Sequence, residues 1–139
     1  MEELEKVIHW LKTYPAWEGP LDVDVTDVTA NSTGLYPKGL QELSRREDVL
    51  GNLQIRYRWS FSLHRSAAKD PGENARWLMA FQQWVARQSL QGQVPVFGDD
   101  PKQEQIRAAD GALISRKYGG STGYTVLLTV DFMKIYRGE

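Results

Sequence analysis

"LQIRYRWSFSLH", residues 53–64, decides the fold. Ile55, Tyr57, Trp59, Phe61 and Leu63 fall on one face, and Arg56, Arg58, Ser60, Ser62 and His64 on the other. β-Branched and aromatic residues at a strict period of two specify an amphipathic strand with one dry and one wet side. The dry side needs a cover, and the flanking sequence supplies two helical patterns that fit.

After the strand, "AKDPGEN" breaks the chain and residues 73–90 take up helical spacing, with Trp77, Phe81, Trp84 and Gln88 on one ridge, widened by Leu78, Val85 and Ala86. Gly92 stands at the expected stopping point. Before the strand, residues 2–14 place Leu4, Val7, Ile8, Leu11 and Tyr14 on a second helix, with Glu2, Glu3 and Glu5 at its positive end and Pro15 as its stop. "LDVDVTDV", residues 21–28, alternates as a half-buried strand. "QVPVFGDDP" reads as a loop. The chain closes on a long hairpin, from about Glu104 to Tyr118 with an interruption at Asp110-Gly111, then through "GGSTG" into "YTVLLTVDFMKIY". These elements predict an α+β fold: a mostly antiparallel sheet with long hairpins, the N-terminal helix and one central helix packed on one face. Residues 1–139 are expected to form a single domain.

Composition narrows the function. The chain is 41% hydrophobic and 25% charged, with a net charge of −1, which is ordinary for a folded globule and gives no overall basic field for nucleic acid or anionic membrane. It contains no cysteine, which excludes disulfides, thiolate catalysis and zinc–thiolate sites. The acidic start lacks the apolar segment of a signal peptide, and no run reaches membrane-spanning length, so the expectation is a soluble protein made in the cytoplasm.

Few residues offer chemistry. Asp22 and Asp24 share a strand face about 7 Å apart, with Asp27 nearby; a hard cation usually recruits more oxygen ligands, so the wet side of a strand is the better reading. His9 and His64, the two histidines, show no local arrangement with a nucleophile or an acid. "YGGSTGY" lacks the lysine and following helix of a phosphate loop and reads as a hairpin tip. Arg56 and Arg58, with Arg45 and Arg46 ahead of them, lie opposite the aromatics of their strand, so no stacking platform for bases results. No catalytic residue, cofactor or metal is expected, and the chain does not read as an enzyme.

Between the two central strand patterns lies "TGLYPKGLQELSRREDVLGN", residues 33–52, a semi-apolar connection in which Leu40, Leu43, Glu47 and Leu50 fit a helix while a short strand ending near Arg45 fits as well. Such a segment without chemistry suggests protein contact. Trp10 and Trp17 fall outside the tidy stripe of the first helix, and aromatics beside a Pro/Gly turn favour an interface. The interface candidates are Trp17, Leu35, Tyr36, Leu40, Leu43 and Phe97, with residues 33–52 expected to order on contact.

The succession "WLKTYP", "GLYPKGLQELSRREDVLGN", "NARWLMAFQQWVARQS", "PVFGDDPKQEQIRAADGAL" and "YTVLLTVDFMKIY" resembles small prophage proteins of Gram-positive bacterial phages, described as minor capsid or minor structural proteins. Proteins of this size and element order look like tail terminators or tail-completion proteins. The resemblance implies a sheet flanked by helices, and self-association into a ring, commonly hexameric, on the head-proximal end of the tail tube. The implied partners are tail tube and head-connector proteins, the implied location is the virion, and no catalytic residue is carried over. Other expectations are a head-tail stopper, a non-viral protein-binding adaptor, and a small enzyme or ligand-binding α+β domain using the Asp22, Asp24 and Asp27 cluster.

Overall fold

The computed structural model describes residues 3–17, 19–24, 33–66, 71–115 and 122–137, with side chains described in these ranges except at 66, 71–75, 109–115 and 122–124. The element order is α1 (Glu3–Leu11), β1 (Leu21–Val23), β2 (Thr33–Glu47), β3 (Leu53–Ser66), α2 (Pro71–Leu90), β4 (Gln105–Ser115) and β5 (Thr122–Tyr136), with a 3-10 turn at Pro101–Gln103. The strands form one sheet in the order β1-β2-β3-β5-β4, antiparallel except for the short parallel pair β1–β2. The α+β class and the mostly antiparallel sheet agree with the sequence.

The period of two in β3 sets the layers. Phe61 faces Leu128 and Leu63 faces Val126 across β3–β5, and Ile106 faces Val130 across β4–β5, so these side chains share a side. That side is closed by Val7, Trp10 and Leu11 of α1 and by Phe81, Trp84 and Val85 of α2, all buried in one cluster. The other side carries Arg56, Arg58, Asp131 and Arg107, opposite α1 and α2.

α1 carries Glu3 and Glu5 in its first turn. It tightens after Leu11, where Thr13 and Tyr14 donate to the carbonyls three residues back. α2 ends as Gly92 predicted: Gln93 N–H donates to Gln88 O and Gly92 N–H to Ser89 O, with Gly92 at φ +70°. β1 is shorter than the alternation over 21–28 predicts. It stops where Asp24 takes a left-handed φ of 59°, and residues 25–28 lie outside the described residues.

Of the two readings left open for the connection, the strand holds: residues 33–47 form β2, paired to β3 along its length and running two residues past Arg45. Its register slips between Pro37 and Gly39 and again between Glu42 and Ser44. Each bulge inserts a residue and breaks the period of two. Leu40 and Leu43 consequently fall three apart, which mimics a helix.

Candidate assembly surface

β1 covers β2 only from Thr33 to Leu35, so the outer edge of β2 from Tyr36 to Glu47 has no strand partner among the described residues. Pro37 and the two bulges sit on this edge, devices that discourage indiscriminate strand pairing. Along it Leu40 is 49% and Leu43 37% exposed.

At the end of the β2–β3 hairpin, Val49 is fully exposed and Leu50 is 78% exposed. The turn that carries them is braced. Asp48 accepts from Leu50 N–H and Asn52 N–H, both at 2.9 Å, and from Asn52 Nδ2 at 3.0 Å. Its own N–H donates to Asn52 O, Gly51 N–H donates to Asp48 O, and Gly51 supplies φ +81°. The donated bonds, those of Asn52 first, hold the Asp48 carboxyl below the usual range. Just below the turn Arg45 grips Glu42 at 2.7 Å.

The opposite edge of the sheet is built differently. α2 lies against β4, and Ser89 Oγ accepts from Ile106 N–H at 3.3 Å, so the helix closes part of that strand's edge. Between them runs a groove of about 420 Å³. Ala86 and Leu90 of α2 and Ile106 and Ala108 of β4 line its apolar part, and Gln82 and Arg107 stand at it as well. Leu90 is largely exposed. Arg107 reaches Asp131 only at 3.4 Å and keeps more than half of its side chain in solvent, whereas Arg58 holds the same carboxylate with two bonds of 2.7 and 3.0 Å.

The sequence candidates separate into two groups. Leu40 and Leu43 lie on the exposed edge. Tyr36 is half-buried with its ring 4.6 Å from that of His64. Leu35 and Phe97 require correction: both are buried in the core, Leu35 opposite Leu63 and Phe97 edge-on to Phe132, so neither is open to a partner. Trp17 packs within its own chain against Trp77 and Phe81, and the Arg65 guanidinium lies 5.4 Å from its ring. Trp10 is core as well, its Nε1 donating to Gln93 O at 2.9 Å. Val49 and Leu50 were missed as interface candidates; the signal was two aliphatic residues set directly before Gly51-Asn52, with no alternation to bury them.

Chemistry remains sparse. Asp22 and Asp24 are exposed, Asp27 lies outside the described residues, and no three His, Asp or Glu side chains gather for a metal among the described residues. His9 is exposed and His64 faces Tyr36. Arg56 donates to Gln103 Oε1 at 2.8 Å. Glu104 is a buried carboxyl whose Oε1 accepts from Gly98 N–H at 2.7 Å; burial pushes its pKa up. It fixes the segment after Phe97 against β5, where Asp99 N–H donates to Met133 O. No described helix is long and apolar enough to cross a membrane.

No family model matches the chain, and no curated protein matches it significantly.

Proposed function

We propose that this protein is an assembly component of a phage tail, a tail terminator that closes the head-proximal end of the tail tube as a ring and presents a surface to the head connector. It is made in the host cytoplasm and carried into the virion. The observation behind this reading is the β2–β3 hairpin. Leu40, Leu43, Val49 and Leu50 stand in solvent along one edge and one braced turn, an arrangement that an isolated protein has no use for.

Three features support it. The apolar side chains cluster on one edge and the apolar groove lies on the other, so contact between unlike patches is favoured, and such heterologous contacts generate rings when the rotation closes. The exposed residues surround no converging titratable groups, as expected for a docking surface rather than a reaction centre. The resemblance of the sequence to phage tail proteins implies the same kind of fold, a sheet flanked by helices.

The test is genetic and structural. A lysogen deleted for this gene is expected to release heads without joined tails and tails of irregular, excessive length in negative stain, both restored by the gene in trans. Tails of normal length joined to heads in the deletion lysate would overturn the reading.

A further inference from the structure

Building on that reading, we infer that the turn at residues 48–52 of one copy docks into the α2–β4 groove of the next, with Val49 and Leu50 on its apolar floor and the acidic residues beside them facing Arg107.

The turn has the form of a prepared ligand. Its side-chain and backbone bonds to Asp48 hold two aliphatic side chains out in water, so little freedom remains to be lost on docking. Glu47 and Asp48 flank those side chains with negative charge. The groove offers the complement. Ala86, Leu90, Ile106 and Ala108 give it an apolar lining, Leu90 is itself exposed, and Arg107 is held only by a long contact to an aspartate already engaged by Arg58.

Position makes the occupant a second copy. β2 and β4 lie on either side of the β3–β5 pair, three strand spacings or about 14 Å apart at the least. The turn therefore meets the groove between molecules. A second apolar pocket, lined by Glu3, Leu4, Pro37, Trp59 and Phe61, fits less well: it lies beside the same hairpin and carries Glu3, which repels the acidic turn.

The absence of cysteine from the chain gives a direct assay. Leu50→Cys and Gln82→Cys are made as single variants in the full-length protein and mixed under mild oxidation. The expected product is a cross-linked pair containing one of each, with little linkage within either variant alone. In sedimentation velocity, Val49→Ser/Leu50→Ser is expected to weaken self-association by roughly tenfold or more. Arg107→Glu is expected to weaken it too, with recovery when Glu47→Arg is added; Asp48 is left intact because it braces the turn. Circular dichroism of each variant confirms folding. An oligomer unaffected by the Val49/Leu50 change, or Leu50→Cys linking chiefly to itself, overturns the docking and leaves the tail role standing. A protein strictly monomeric at hundreds of micromolar also overturns the docking, while the tail role is decided separately by tail length in the deletion lysate.

Discussion

Glu104 shows how one residue ties a loop to the sheet at an energetic cost. Its carboxyl is buried, accepts the Gly98 N–H, and has its pKa raised by desolvation above all else. A folded pKa above the unfolded value means that the native state binds the proton more tightly. The stability from that proton is fully present below the unfolded pKa of about 4.3 and is lost as pH rises through the folded value. Glu104→Gln keeps an acceptor for Gly98 and removes the buried charge. Its melting temperature is therefore expected to exceed that of the wild type at pH 7.5, with the advantage shrinking toward pH 4; a constant difference across that range would refute the argument. Gly98 is fixed by the same packing. A Cβ there would overlap the Met133 carbonyl oxygen and crowd its nitrogen, both backbone, so Gly98→Ala is expected to lower stability by about 2 kcal/mol in urea unfolding. Asp131 is a third such point. Buried and gripped by Arg58, it leaves a partly desolvated guanidinium unpaired when removed, and Asp131→Ala is expected to cost about 2 kcal/mol. None of these roles was legible in the sequence, because each depends on which distant segment lies against the residue.

Elements were legible in proportion to their regularity. β3 declared itself because each odd residue from Ile55 to Leu63 points to the core side, and α2 because its ridge and its closing glycine agree. β2 did not, since two bulges displace its alternation and its outer half buries little. Trp10 and Trp17 misled for another reason. The apolar stripe of α1 was drawn without the turn after it, yet that turn brings Tyr14 and Trp17 over α2, where Tyr14, Trp77, Phe81 and Trp84 form a continuous set of ring contacts. Leu35 misled because it sat within a stretch judged as a whole, though its first three residues lie under the core and the rest beyond it. The hairpin end is a separable unit. Asp48→Ala removes three accepted bonds from an exposed turn, so amide exchange is expected to quicken at Leu50 and Asn52 while protection in β3 and β5 holds. Because the Asp48 pKa is depressed, its bracing is present above the unfolded pKa of about 3.9 and is lost as pH falls through the folded value. The wild-type turn should thus loosen in acid, and the alanine variant should show no such change.

At the scale of the molecule, β5 is an interior strand of the sheet that pairs on both sides. β5 pairs with β3 from Leu53↔Tyr136 to Ser66↔Gly123 and with β4 on its other side, while Val126, Leu128, Val130 and Phe132 supply the middle of the core. The β3–β5 pairs join residues far apart in sequence, and the loop closure they require precedes most of the burial that rewards it. α1, β2, β3 and α2 come earlier in the chain, but without β5 the side of β3 that bonds to it is an open edge and the covering helices lose Val126, Leu128, Val130 and Phe132 beneath them. A chain ending at Ser115 is therefore expected to lack a cooperative unfolding transition and to aggregate through β3. Removing β1 by substituting Leu21 and Val23 with serine should leave such a transition in place, since that strand pairs only with Thr33–Leu35 at the margin. Urea denaturation followed by tryptophan fluorescence distinguishes the two. A truncated chain that still unfolded in one sharp transition would mean that the core does not depend on β5.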